Sequence, residues 1–364
     1  MWKKVVLWTL FAILCVGSGV AGYFVARVQV RAEKSLGYMT RTYETDLSDV
    51  DLSGIDVKSD KKIVNILVIG NDERTEYNGS KEGGLSDVMM IATLDKKHNK
   101  LKLTSLMRDM YVDIPGYTPN KLNSAYPRGG VKLLYKTIAE NFGIKLDGYV
   151  EVGFKAFVKV VNDVGGVDIE LSESEAEYLN TTNYIRNHKY RNVKPGWNHL
   201  NGHQALGFCR IRKKCYTVTG ITDDYARTYR QRTTIAATFD ELKTMPKSKW
   251  LKVLDHSLKY VKTDLKNKEI LRYLTDVVSM GTTSIDQFRL PMDGYYLNQD
   301  ISGAGACLVL NTKENNTEAL NEFIFEYKGK KKYTYTPSGT TASASPDAGT
   351  TDTTGTTGTT TTQY

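Results

Sequence analysis

Apolar residues recur along this chain with two different periods, and the change from one to the other marks out the elements. Residues 62–70, Lys-Ile-Val-Asn-Ile-Leu-Val-Ile-Gly, form a nearly continuous apolar run closed by glycine, the pattern of a strand buried on both faces. Apolar runs at 88–94 and 101–106 flank the polar stretch Asp95-Lys-Lys-His-Asn-Lys100, which predicts a β-hairpin. After Gly129-Gly130, Val131, Leu134, Tyr135, Ile138 and Phe142 return at i, i+3, i+4, i+7 and i+11, the period of an amphipathic helix. A strand at 149–152 leads into a helix carrying Phe154, Phe157, Val158 and Val161, ended by Gly165-Gly166, and 167–171 returns as a strand. Longer helical patterns run over about 227–243, 265–280 and 313–327. Strands alternating with helices predict an α/β fold: one layered αβα domain with a central mixed β-sheet, over roughly 62–328.

The two ends follow different rules. Residues 5–26 carry no charge, and 22 such residues exceed the ~20 that span a hydrocarbon core. A core helix would show a polar face, and the apolar part of a cleaved secretory signal is usually only ~7–15 residues long. The expectation is therefore one uncleaved N-terminal transmembrane helix. With residues 1–4 in the cytoplasm, a polar stalk at 27–61 and the domain beyond it lie outside the membrane. Basic residues on both sides of the span leave the orientation weakly specified. Residues 329–364 end in a Thr-, Ser- and Gly-rich stretch that has too little apolar surface to fold, as suits a cell-surface tail.

Composition adds the sign of the partner. The chain of 364 residues has 49 Lys+Arg against 41 Asp+Glu, a net charge of +8, and 40% hydrophobic residues, which excludes a disordered or multi-span protein. Nearly all of the excess lies between the two ends, so an anionic partner is expected: nucleic acid, a lipid head group or a phosphorylated substrate. Of four cysteines, Cys15 falls in the proposed span, and Cys209, Cys215 and Cys307 allow one disulfide with a free thiol or three thiols.

Phosphate-loop, nucleophile-elbow and H-E-x-x-H signatures are missing from the sequence. His199 and His203 have a metal-ligand spacing, but Asn201-Gly202 between them is a helix-start signal that separates the two. Arginine is more informative. Five of the 15 arginines, Arg210, Arg212, Arg227, Arg230 and Arg232, fall within 23 residues. Arg210 and Arg212 alternate as on one face of a strand, and Arg227 and Arg230 are i, i+3 on a helix. Convergent guanidinium groups suit bidentate binding of phosphate oxygens, although a solvated basic face has the same spacing. Asp72 follows the first predicted strand and Asp87 precedes the next. If those strands are antiparallel neighbours, both carboxylates share one sheet edge, where oxygen ligands beside a phosphate suit Mg²⁺. Arg108-Asp109 ends the third strand and adds a cation and a carboxylate.

These stretches resemble the LytR-CpsA-Psr family of the bacterial cell envelope. The resemblance rests on Ile69-Gly-Asn-Asp72, Ser86-Asp87, Ser105-Leu-Met-Arg108-Asp109, Lys121-Leu-Asn, Leu200-Asn-Gly-His through Arg210-Ile-Arg212, and Asp224-Tyr-Ala-Arg227-Thr-Tyr-Arg230-Gln231. It implies a cell-membrane enzyme: an extracytoplasmic phosphotransferase moving a glycopolymer, such as teichoic acid or capsule, from polyprenyl diphosphate onto peptidoglycan, with pyrophosphatase activity as an accompanying option. By the resemblance Asp72 and Asp87 hold Mg²⁺ (or Mn²⁺), and Arg108, Arg210, Arg212, Arg227 and Gln231 grip the diphosphate, with Lys121 at its edge. Arg230 is added to the binding set on its spacing with Arg227. Asp109 or Asp224 accepts the attacking hydroxyl's proton. Met107, Ala226 and His203 depart from the family's more frequent residues without removing a charged motif position. Two other readings are a non-catalytic polyprenyl-phosphate or glycan-binding protein and a transcriptional regulator. Nucleic acid is not expected as a partner, because no helix-turn-helix with a basic recognition helix is visible.

Overall fold

A computed structural model describes residues 40–41, 46–71, 86, 88–212, 215–246, 249–250, 253 and 260–326. The expected membrane anchor, the C-terminal tail and both proposed metal ligands, Asp72 and Asp87, lie outside the described residues. Among those described, no helix is long and apolar enough to cross a membrane.

The apolar run at the start of the domain is the central strand β2 (Ile63–Asn71). It pairs antiparallel with β3 (Val88–Asp95), which pairs antiparallel with β4 (Lys100–Leu106) across the expected polar turn. On the other side β2 runs parallel to β7 (Gly148–Gly153). Beyond β7 lie β10 (Val261–Thr263) and the short β1 (Thr40–Arg41), and β11 (Ile285–Leu290) closes the far edge parallel to β4. The result is a seven-stranded mixed sheet in the order β1-β10-β7-β2-β3-β4-β11, so the expected mixed sheet is observed. A smaller sheet, β12-β13-β5-β6, is built from β5 (Met110–Ile114), β6 (Tyr117–Lys121), β12 (Leu297–Ile301) and β13 (Gly305–Val309). A two-stranded ribbon pairs β8 (Val167–Leu171) with β9 (Gly196–Leu200).

The seven helices used below are α1 (Ala125–Phe142), α2 (Phe154–Asp163), α3 (Glu173–Thr181), α4 (Gly202–Arg210), α5 (Asp223–Thr244), α6 (Asn267–Met280) and α7 (Lys313–Phe325). The predicted start of α1 after the glycine pair corresponds to a kink. Gly130 sits at φ 62°, a left-handed conformation that favours glycine, and the regular helix resumes at Val131.

Cross-strand partners share a face, and the two faces of the large sheet differ. On one, Leu67, Ile69, Met89, Ile91, Leu106, Phe288 and Leu290 are buried beneath Leu134, Tyr135 and Ile138 of α1 and Leu320 and Ile324 of α7. On the other, Met90 and Leu103 are buried, but Ile66, Val68, Val88, Ala92 and Leu101 are only half-covered. Helices α2 and α5 lie against this second face, and Val150 and Val152 of β7 and Ile270 and Leu271 of α6 pack against the buried pair Ala156 and Val261.

The stalk expected over 27–61 needs correction. Leu47 is part of the main core, Val50, Leu52, Ile55 and Val57 pack against it, and Lys58 bridges to Ile144. Packing therefore begins well before residue 62, because apolar residues scattered through a polar segment still find a common groove.

A buried ion network fixes the end of the sheet remote from Asp109. The Lys102 ammonium donates to Asp95 at 2.7 Å and lies 2.9 Å from Glu326, which also accepts from Lys100 at 2.7 Å. Burial acts to raise the Glu326 carboxyl, but the two lysines outweigh it and hold it at about 2. A depressed carboxyl stabilises the fold fully above its unfolded value near 4.5, and that contribution disappears as pH falls through about 2. Glu326→Gln is expected to lower the melting temperature at pH 7, with the gap from wild type closing between about pH 4.5 and 2 in melting curves. A gap of constant size would show that the pairs contribute nothing.

Candidate functional site

At the end of β4 the chain turns from the large sheet into the small one, and the turn holds Arg108 and Asp109. Its backbone is tied on several sides: Met107 N–H donates to Leu290, Asn123 N–H to the Arg108 carbonyl and Leu308 N–H to the Asp109 carbonyl. The β5–β6 hairpin returns Lys121 opposite Tyr111, which brings its ammonium 3.3 Å from Asp109. From the other side the first turn of α5 supplies Asp224, 3.6 Å from Nε of Arg108, and Arg227 donates to Asp224 at 2.9 Å. Arg108 itself lies 3.4 Å from Asp109. The outcome is a row of alternating charge, Lys121, Asp109, Arg108, Asp224 and Arg227, with one cation in excess. Arg227 is buried, whereas Arg108, Asp109, Asp224 and Lys121 keep between 12% and 24% of their side-chain surface open to solvent. Such a row can accept an incoming phosphate by exchanging carboxylate partners for phosphate oxygens, and it keeps a carboxylate within reach of a proton.

Helix geometry sorts the remaining candidates. At about 100° per residue, Asp224, Arg227 and Gln231 share one face of α5. Gln231 lies one turn beyond Arg227 and donates to the Cys209 carbonyl at 3.5 Å, next to Arg210. Arg230 turns away, contrary to the expectation that it joins the binding set. It is fully buried, donating to Glu175 at 2.6 Å and to the carbonyls of Ile211 and Cys215 at 3.1 and 3.2 Å. A guanidinium so paired and fully buried ties α5 to α3 and to the carbonyls of Ile211 and Cys215, out of reach of a substrate in the charged row.

Arg210 and Arg212 also differ from their expected strand. Asn201 and Gln204 form a capping box, so 202–210 is helical, and Arg210 is its last residue. The Arg210 guanidinium lies 5.1 Å from the Phe154 ring and 5.6 Å from that of Tyr184, while Arg212 lies just past the helix, exposed and without an ion-pair partner among the described residues. Gly202 explains the close seating of α4 on α2: a Cβ there would collide with the Val158 carbonyl.

The two histidines are separate, as the helix-start signal implied. His199 bonds Asp168 at 2.6 Å and the Gly165 carbonyl at 2.9 Å, and His203 stacks on Tyr190. Cys209, Cys215 and Cys307 are three buried free thiols, which resolves the disulfide alternative, and burial pushes the Cys209 thiol up to about 12.

For a metal, the described residues test the placement rather than the ligands. Asn71 ends β2 and Val88 begins β3, and Gly70 pairs with Val88, so the strands leading to Asp72 and from Asp87 are the expected antiparallel neighbours at one edge. Two carboxylates are hard oxygen donors of the kind Mg²⁺ takes. Among the described residues, Asp95, His98 and Glu326 also form a group of ligand-type atoms, but Lys100 and Lys102 already supply its cations.

One participant had no sequence pattern around it. Arg289 of β11 is buried beside the site, donating to the sulfur of Met107 at 3.2 Å and pairing with Asp293, with its guanidinium 4.8 Å from the Tyr225 ring. An arginine between Phe288 and Leu290 in a buried strand was the available signal, since buried charges are rare unless paired.

Helix α5, which lies against the half-covered face through β4 and β11, carries Asp224 and Arg227 of this row near its start. Ile235 and Phe239 of α5 and Leu274, Val277 and Val278 of α6 are likewise half-buried, and α6 has no buried residue despite its apolar side.

Comparison with known proteins gives this arrangement a setting. The regulatory protein MsrR of Staphylococcus aureus strain Mu50 is 31% identical over 277 residues, covering 74% of this chain and 76% of its own. The polyisoprenyl-teichoic acid–peptidoglycan teichoic acid transferase TagU of Bacillus mycoides strain KBAB4 is 30% identical over 301 residues, covering 81% of this chain and 90% of its own. The solved structure of the LytR-CPS2A-psr family protein YwtF (TagT) with bound octaprenyl pyrophosphate lipid shares the fold at a TM-score of 0.54. It is 22% identical and covers 78% of this chain and 99% of that one. The LytR_cpsA_psr family description matches residues 23–321, and the chain belongs to that family.

Proposed function

We propose that this protein is a membrane-anchored, extracytoplasmic phosphotransferase that moves a glycopolymer from polyprenyl diphosphate onto peptidoglycan. The observation that carries the reading is the junction of a half-covered apolar sheet face with the row of alternating charge at Arg108, Asp109 and Asp224. An amphiphile with a long hydrocarbon tail and a diphosphate head fits that junction. The name of TagU and the octaprenyl pyrophosphate bound by TagT support the same substrate class.

In the proposed reaction Arg108, Arg227 and Lys121 neutralise the diphosphate, with Arg212 reaching it from the end of α4 and Gln231 adding an amide donor. An acceptor hydroxyl attacks the sugar-proximal phosphorus. The bond from that phosphorus to the bridging oxygen breaks, and polyprenyl phosphate leaves with the electron pair. The hydroxyl proton passes to Asp109 or Asp224, and the glycan remains joined to the acceptor as a phosphodiester. Phosphoryl transfer requires positioning and charge neutralisation rather than a protein nucleophile, which agrees with the sequence's lack of a Ser-His or Cys-His pair. Asp72 and Asp87 would hold Mg²⁺ or Mn²⁺, which supplies further charge neutralisation at the diphosphate.

Incubating the full chain with polyprenyl-diphosphate-linked glycan and Mg²⁺ tests the reading. Release of polyprenyl phosphate that a chelator abolishes is the expected result. Stable binding without release would make the protein a carrier instead.

A further inference from the structure

A cavity of about 140 Å³ lies away from the charged row, on the opposite side of α5. Tyr229 and Thr233, which line it, stand roughly opposite Asp224, Arg227 and Gln231 at about 100° per residue. The β8–β9 ribbon supplies Asp168, Glu170 and Trp197, and Val218 closes one side. Glu170 and Trp197 are direct cross-strand partners, as are Asp168 and His199, and these four share the outward face of the ribbon.

Two features of this lining are unusual for the chain. The Trp197 indole is 73% exposed, although large aromatic side chains ordinarily bury most of their surface. The charges have the opposite sign to the net +8 of the protein: the lining contains three carboxylates and no lysine or arginine. Two of the three are committed, Glu175 to Arg230 and Asp168 to His199. His199 faces acceptors at both ring nitrogens, and the Asp168 bond leads in raising its pKa above 6.5. Glu170 has no counter-ion among the described residues. A free carboxylate beside an open indole face presents acceptors and a ring quadrupole, but only the Tyr229 and Thr233 hydroxyls and the indole N–H as side-chain donors. The complementary ligand is rich in donors, without acceptors, and positive.

We propose that this cavity binds an ammonium group, stacked on Trp197 and facing Glu170, carried by a quaternary amine or by a lysine-like primary amine. The proposal is independent of the transfer reading, since it uses none of the residues in the charged row.

The test follows the Trp197 indole N–H resonance of the ¹⁵N-labelled full chain, identified by its loss in Trp197→Ala. The probes are choline, Nα-acetyl-lysine methylamide, and 3,3-dimethylbutanol as the uncharged isostere of choline. Saturable shifts with one or both amines, and none with the isostere, are expected, and the stronger amine identifies the source. Trp197→Ala should weaken binding about five-fold or more, followed calorimetrically, and Glu170→Gln about two- to five-fold. Both positions are exposed, so the variants should melt like the parent, which separates lost binding from lost fold. Equal binding of the isostere, binding unchanged in Trp197→Ala, or no saturable shift with either amine would overturn the proposal.

Discussion

Arg108→Ala is expected to lower the rate of polyprenyl phosphate release by about 10²–10³-fold, the cost of removing one fixed donor from developing phosphate charge. It should leave the melting temperature nearly unchanged, and the reason lies in the row itself. Without Arg108, Asp224 keeps Arg227 at 2.9 Å and Asp109 keeps Lys121 at 3.3 Å, so neither carboxylate is left without a cation. The backbone of the turn is held by Met107, Asn123 and Leu308 rather than by the Arg108 side chain. The loss of a partly exposed ion pair is worth about 0–1 kcal/mol. Steady-state kinetics and a melting curve on one preparation separate the two effects. Full turnover in the variant, or a large drop in melting temperature, would remove Arg108 from the chemistry.

The second large effect has the opposite signature. Arg230→Ala should destabilise the domain by about 3–5 kcal/mol, because it strands Glu175 as a buried, unpaired carboxylate and leaves two carbonyls without donors. At about 2–4 °C per kcal/mol for a domain of this size, the melting temperature should fall by roughly 6–20 °C. Turnover per folded molecule should persist well below the new transition. The double variant Arg230→Met with Glu175→Gln should regain much of the loss, since it removes both buried charges together. An Arg230→Ala protein that is stable and inactive would return Arg230 to the substrate site.

The contrast between these arginines shows what the sequence could and could not reveal. The hairpin at 88–106 and helices α1, α5, α6 and α7 were legible because each repeats its apolar spacing over several turns or a whole strand. The strands β6 (Tyr-Thr-Pro-Asn-Lys) and β12 (Leu-Asn-Gln-Asp-Ile) escaped because short, exposed strands lack a buried face to impose alternation. Charged positions were legible as types but not as partners. Spacing gives Arg227 and Arg230 neighbouring directions on α5, but Glu175, which captures one of them, is 55 residues away in sequence. Two alternating arginines at 210 and 212 were too short a pattern to define a strand, whereas Asn201 and Gln204 contained the helix-start signal that decides the matter. Asp109 was legible at the end of a predicted strand, whereas Lys121 and Asp224 entered only with the motifs that carry the family resemblance, and the turn after β4 is where all three meet.

The central claim is that the charged row at the end of β4 supports transfer of the glycan rather than only its capture. The most direct measurement is mass spectrometry of the acceptor wall polymer after incubation with the full chain and polyprenyl-diphosphate-linked glycan. The account predicts glycan joined to the acceptor through a single phosphodiester, with one polyprenyl phosphate released for each linkage and both products formed about 10²–10³-fold more slowly by Arg108→Ala. Polyprenyl phosphate released without any glycan on the acceptor, or linkage proceeding unchanged in Arg108→Ala, would contradict it.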